Sequence, residues 1–255
     1  MKDKNTENIE NIENIYLIGR GYLIKKLEPY LVEFSNKNNI QFKQYVNTQN
    51  CAILNGSMQR KKLFENTLLI IGEFHSTPKY NNKYTNSNNQ FSDFIELEKL
   101  DFLLKYQRTQ MFAKDAQKYN NKIIFLNSMK SVLCTNKSKF DKVYIKYNKK
   151  VLKLSKKYNN FYNLLLPYVI DKDILNKPNT IFEKIEKNEI KEKDLNNDLI
   201  PIQFFNSFKI DFLNFINEII ENKSMDNMDN ILSFKYNYTY AKNFIKLYHF
   251  LKEKK

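Results

Sequence analysis

Glycine is scarce in this chain, with four residues in 255, tryptophan is absent, and cysteine and histidine number two each. Each scarcity excludes something. Cys51 and Cys134 lie far apart with no Cys-x-x-Cys, so neither a disulfide framework nor a zinc ribbon is encoded. Both sit beside apolar residues and read as buried free thiols. His75 and His249 form no paired metal-ligand spacing, so no metal site is read, and His75 reads as a loop histidine. Gly-x-x-x-x-Gly-Lys-Ser/Thr is missing, which excludes a P-loop nucleotidase, and no Gly-x-Ser-x-Gly elbow supports a serine hydrolase. No apolar run reaches the length of a membrane span and no signal-peptide pattern is found, so the expectation is a cytoplasmic protein without a membrane span.

What is abundant is lysine, asparagine and aromatic side chain. The formal net charge is +14, a value that points toward nucleic acid or anionic surfaces when the charge is clustered. Here lysine is spread along the chain. Its denser runs, Lys149-Lys150, Lys153 and Lys156-Lys157 and then the Lys252–Lys255 tail, read as solvated helix faces. Lys, Asn, Ile, Tyr and Phe also share AT-rich codons. No specific nucleic acid is therefore expected as a partner. Hydrophobic residues at 42% suffice for a substantial core in one large α/β domain or two small ones.

Two of the four glycines fall in Ile15-Tyr-Leu-Ile-Gly-Arg-Gly-Tyr-Leu-Ile24. The segment reads as a short strand, a Gly-x-Gly turn and the start of an amphipathic helix, which is the phosphate-binding corner of a dinucleotide fold. The third glycine of Gly-x-Gly-x-x-Gly is replaced by Ile24. An ordinary strand–turn–helix is the alternative reading.

Around this corner the chain alternates strands and helices. Residues 1–14 are a low-complexity lead-in. Helix one runs to about Phe34 with Leu23, Leu27, Leu31 and Phe34 on one face and Pro29 inside it as a point of bending. Ile40–Val46 is a strand, and Thr67–Gly72 and Lys122–Asn127 are strands buried on both faces. Pro78–Gln90 is a loop. Ile95–Tyr119 is a helix with Leu97, Leu100, Leu103, Leu104, Met111 and Phe112 as its core face. Asp141–Tyr158 is a further helix, and Phe161–Leu166 a strand closed by Pro167. Beyond it come a charged stretch 171–198, strand Ile200–Phe205, helix Phe208–Glu221, strand Ile231–Phe234 and a closing helix Tyr240–Lys254. This order predicts an α/β, Rossmann-like doubly wound parallel sheet over 15–170, with 171–255 interleaved with the sheet and covering the substrate side.

In that order the chain resembles the extended short-chain dehydrogenase/reductases, the NAD(P)-dependent sugar-nucleotide epimerases and dehydratases above all. The resemblance rests on the glycine turn, on Thr67–Gly72, on Phe125-Leu-Asn-Ser128 as the strand carrying a catalytic hydroxyl, and on Tyr144-Ile-Lys-Tyr-Asn-Lys149 where the family has Tyr-x-x-x-Lys. Leu164-Leu-Leu-Pro167 stands where it has Leu-Arg-Pro, and Ile202-Gln-Phe-Phe with Ile210-Asp-Phe-Leu where it has Val-Asp-Asp-Leu-Ala. The resemblance implies a nucleotide-sugar substrate, a homodimer, and hydride transfer in surface-polysaccharide synthesis. It implies Ser128, Tyr144 and Lys149 as catalytic residues, and Gly19, Arg20, Gly21, Tyr22 and Leu23 as cofactor-binding ones. The cofactor is NADP or NAD. The second strand ends Tyr45-Val-Asn-Thr48 without the carboxylate that selects NAD, and Arg20 suits a 2′-phosphate, so NADP is expected.

The departures fall on the chemistry. Lys149 lies five residues after Tyr144, about 500° around an ideal helix and off its face, while Asn148 holds the expected lysine position. A local π-bulge would restore the register. Tyr144 and Tyr147 also have a packing reading, Ser128 a capping one, and Asp211 one as a helix-dipole partner. Three readings stay open: a divergent enzyme, a catalytically inactive partner or regulator of the same fold, and a basic nucleic-acid-binding protein.

Overall fold

A computed structural model of the chain describes residues 12–55, 65–72, 88–119, 121–129, 139–176, 181–191, 199–221, 231–240 and 243–253. The elements are β1 (Asn14–Ile18), α1 (Tyr22–Lys37), β2 (Gln41–Tyr45), α2 (Thr48–Asn55), β3 (Thr67–Ile71), α3 (Asn88–Lys118), β4 (Lys122–Ser128), α4 (Lys139–Ser155) and β5 (Phe161–Leu166). There follow β6 (Tyr168–Ile170), a 3-10 turn (Lys172–Asn176), α5 (Ile181–Glu186), β7 (Leu199–Phe204), α6 (Phe205–Ile220), β8 (Ile231–Leu232), β9 (Asn237–Tyr240) and α7 (Phe244–Glu253).

The main sheet has strand order β2-β1-β3-β4-β5-β8, and every pair in it is parallel. Parallel strands joined by helical crossovers are covered on both faces, so their sequences run apolar without alternation. All five residues of β3 and all six of β5 are buried. One face packs Ile15, Leu17, Leu68, Ile70, Ile124 and Leu164 against α1 and α6. The other packs Leu69, Ile71, Ile123, Phe125 and Phe161 with Phe112 of α3 and Tyr147, Val151 and Leu154 of α4. Fully burying each such side chain is worth about 1.5–3 kcal/mol. The expected Rossmann-like parallel sheet is the fold observed.

A second sheet, β6-β7-β9, pairs β6 with β7 in parallel and β7 with β9 antiparallel. Its core is Ile170, Ile174, Phe182, Phe244, Tyr248 and Leu251. Pro167 alone separates β5 of the first sheet from β6 of the second.

Several expectations need correction. Leu100, Leu103 and Leu104 are 52%, 42% and 42% exposed, so they are not the core face of α3. That face is Phe102, Thr109, Phe112, Ala113 and Ala116. The leucine stripe has helical period but the opposite phase, and the alanines let the helix approach its neighbours. Residues 48–55, given no element above, form α2. Tyr240 ends a strand and does not begin the last helix. α1 carries Pro29 within it and continues to Lys37. His75 and Cys134 lie outside the described residues, and Cys51 is buried.

The asparagine excess has a structural use. Asn39, Asn66 and Asn188 adopt φ of 55°, 56° and 57°, left-handed positions that asparagine tolerates better than other side chains. In a glycine-poor chain they turn the backbone after α1, before β3 and after α5.

Candidate functional site

The strand order reverses direction at β1, whose neighbours are β2 and β3. The carboxyl ends of β1 and β3 therefore flank the switch point, where open α/β sheets form their ligand crevice. Gly19 and Gly72 follow those two strands. The Gly19 N–H donates to the Tyr45 carbonyl at 2.8 Å, and the Gly72 N–H donates to the Ile18 carbonyl at 2.8 Å.

Gly19 has φ +133°, and a Cβ there would stand 2.7 Å from the Gly72 oxygen. Only glycine meets both demands. A Cβ on Gly72 would lie 2.2 Å from Ile24 Cδ1. Ile24 is 1% exposed, in the position of the missing third glycine, and its side chain fills the space that glycine leaves empty. The close approach is kept because the opposing strand end is itself glycine. Sequence reading put Gly72 at a strand end but missed this pairing, which no local motif encodes.

Gly21 is the N-cap of α1 and has no side chain with which to satisfy the first-turn N–H groups, and that turn contains no acidic residue. Free N–H groups at a helix N-terminus take phosphate oxygens. These features fit a dinucleotide pyrophosphate. Arg20 is exposed, and Tyr22 and Leu23 are half-buried. At the end of β2, Asn47 Oδ1 accepts the Asn50 N–H at 2.8 Å, so its side chain is committed to starting α2.

The small sheet returns to this corner. The Tyr22 hydroxyl donates to Asp171, and Lys26 forms ion pairs with Asp171 at 3.2 Å and with Asp173. Asp171 Oδ1 also accepts the Ile174 N–H at 3.0 Å, which fixes the carboxylate at the 3-10 turn. Burial and then the Asp171 hydrogen bond push the Tyr22 phenol well above its usual range. For Lys26 burial pulls downward, but the bonds to Asp173 and Asp171 prevail and raise its pKa. Sequence reading assigned Asp171 only to a charged stretch.

Ser128 ends β4 and is partly exposed. Its N–H donates to Asn127 Oδ1 at 2.8 Å. The Asn127 amide donates to Asn163 Oδ1 at 3.1 Å and to the Asn148 carbonyl at 3.4 Å, and the Asn163 amide donates to the Val151 carbonyl at 3.2 Å. Asn127, Asn148 and Asn163 are all buried. This network joins β4, β5 and α4 beneath Ser128. Its signal in the sequence was a polar residue set in or at the end of an apolar strand, Asn163 within Phe161–Leu166 and Asn127 at the end of Lys122–Asn127.

Tyr144 and Lys149 both belong to α4, which is α-helical without a π turn. Lys149 lies on the exposed side, while Tyr147, Asn148 and Val151 turn inward. The Tyr147 ring stacks on Phe102 at 5.3 Å and meets Phe125 edge-on at 6.3 Å, as its packing reading expects. The Tyr144 side chain lies outside the described residues. Asp211, in the second turn of α6, accepts a hydrogen bond from Gln203 at 2.8 Å. Among the described residues no cluster of metal-ligating side chains occurs, and no helix is long and apolar enough to cross a membrane.

The sheet order and glycine corner define a Rossmann-like α/β protein. No described protein family matches the sequence, and no curated protein matches it. Among solved structures, the chain is similar to the capsular polysaccharide assembling protein CapF from Staphylococcus aureus, with TM-score 0.51 and 13% identity. That match covers 93% of this chain and 57% of CapF, so the chain spans little more than half of that protein's length. A reductase domain from an aureusimine biosynthetic cluster is similar at TM-score 0.45 and 13% identity, covering 95% of this chain and 90% of that one.

Proposed function

We propose that the chain binds NADP at the glycine corner and acts as an epimerase, dehydratase or reductase on a nucleotide sugar. The observation that carries this reading is the uncapped N-terminus of α1, opened by Gly19 and Gly21 at the switch point of the parallel sheet. Gly19, Arg20, Gly21, Tyr22 and Leu23 hold the cofactor, with Arg20 on the 2′-phosphate. When bound, the nicotinamide supplies a hydride acceptor and donor. Ser128 polarises the sugar oxygen, Tyr144 moves its proton, and Lys149 supports the tyrosine. The segment after Pro167 covers the substrate. Surface-polysaccharide synthesis, a homodimeric state and a cytoplasmic location belong to the same reading through the family resemblance.

Titration calorimetry with both oxidised cofactors tests it. Tighter binding of NADP is expected. Tighter binding of NAD refutes the selectivity argument, and no binding of either removes the dinucleotide function.

A second reading, an inactive protein of the same fold acting as a partner or regulator, is favoured by one observation. Asn148 is buried at the position of the family's lysine, and Lys149 is exposed. Cofactor binding without hydride exchange against a panel of nucleotide sugars selects it.

A further inference from the structure

α3 and α4 pack against each other on the same face of the main sheet. Two features meet there that neither the fold nor the glycine corner uses. The first is the stripe Leu100, Leu103 and Leu104, at i, i+3 and i+4 and roughly half exposed. Apolar side chains exposed side by side are a mark of interaction sites in a way that scattered single ones are not. The second is the lysine row of α4 and the turn after it. Lys146, Lys150, Lys153, Lys156 and Lys157 are all exposed, and no Asp or Glu occurs between Val143 and Asn160. At the seam between the helices the Lys150 amine sits 5.3 Å over the ring of Tyr106, two residues after Leu104. Asp101, beside the leucines, is already paired with Lys105 at 2.6 Å.

We infer that this face docks on an anionic lipid surface, with the leucines entering the headgroup boundary and the lysines lying along the lipid charge. Interfacial binding combines exposed apolar side chains with an unopposed cationic row on one face. The lysine row suits an anionic occupant over a neutral or cationic one. The leucine stripe beside it favours lipid over nucleic acid, whose phosphate backbone offers leucine nothing. A second copy is disfavoured by charge. A two-fold interface through this face buries two copies of the lysine row, with no carboxylate between Val143 and Asn160 on either to offset them.

The test is vesicle co-sedimentation of the full chain, using phosphatidylcholine with and without phosphatidylglycerol at about 0.1 M salt. Retention on the anionic vesicles only is expected. The triple variant Lys146→Gln, Lys150→Gln, Lys153→Gln weakens it by roughly a hundredfold, about fivefold per lysine. Leu103→Gln with Leu104→Gln weakens it by at least about tenfold. Because these side chains are exposed, melting curves of both variants stay unchanged, which separates lost docking from lost folding. Absence of retention, or retention indifferent to the leucine variant, overturns the inference. RNA binding that depends on the lysines and not the leucines makes nucleic acid the occupant instead. A dimer in lipid-free solution that the leucine variant dissociates makes it a second copy.

Discussion

The Lys26 amine stands 3.2 Å from an Asp171 carboxylate oxygen, and this pair joins the early turns of α1 to the segment that follows β6. With the Tyr22 hydroxyl on the same carboxylate, the glycine corner and the small sheet are fastened by one shared acceptor. Both partners of the ion pair keep some contact with water, at 28% and 15% side-chain exposure, so the Coulomb part is modest. Tyr22→Phe removes the hydroxyl alone and is expected to cost about 1 kcal/mol. Asp171→Asn is expected to cost about the same or slightly more, since it also weakens the pair with Lys26. Urea unfolding measures both, and wild-type midpoints for the two variants refute the fastening.

The glycine pairing predicts a coupled pair of substitutions. Gly72→Ala forces a methyl against Ile24 and is expected to cost about 1–3 kcal/mol. Introduced into an Ile24→Ala background, the same change keeps only the tight contact with Leu126 Cδ1 at 3.3 Å and costs at least ~1 kcal/mol less. A double-mutant cycle checks this, and additive effects contradict the contact.

The asparagine network predicts a site-specific loss at the end of β4. Asn127→Leu leaves the Ser128 N–H without its acceptor and the Asn163 oxygen without the Asn127 donor. The expected cost is about 2–3 kcal/mol for buried groups left unsatisfied. Thermal unfolding measures it. Amide exchange at Ser128 reads the local effect and is expected to rise more than at Leu69 in β3.

Alkaline pH is expected to unfold the protein in a defined window. Burial first, then Tyr16 and Cys51, push Tyr45 up to about 12, and burial pushes Tyr168 up to about 12. A group whose folded pKa is raised adds stability that is complete below its unfolded pKa, near 10 for tyrosine, and is lost as pH climbs through the folded value. Stability is therefore flat in these groups up to about pH 10 and falls between about 10 and 12. Lys122, whose pKa burial lowers, acts in the opposite sense and softens the fall. Denaturant midpoints across this range test the sign. A rise above pH 10 contradicts it.

The main sheet was legible because parallel strands buried on both faces leave long apolar runs, as at Thr67–Gly72 and Lys122–Asn127. α6 was legible because Phe208, Phe212, Phe215, Ile216 and Ile219 all turn inward, with no competing stripe. α3 misled because it carries two apolar stripes, and periodicity gives a period without saying which stripe faces the core. The glycine turn was visible, but its completion by Gly72 was not, since that contact joins residues far apart in sequence. Asp171 was hidden for the same reason. Its role comes from the return of the small sheet to α1, which local composition does not encode.

Pro167 gives the two sheets an unusually stiff junction. Its ring fixes φ near −65°, which removes one of the two rotations of the single residue between β5 and β6. Leu166, just before it, is the ladder partner of Ser128, and its carbonyl accepts the Met129 N–H at 3.0 Å. The path from the small sheet to the Ser128 hydroxyl is therefore a short one, a single linking residue and one ladder pair.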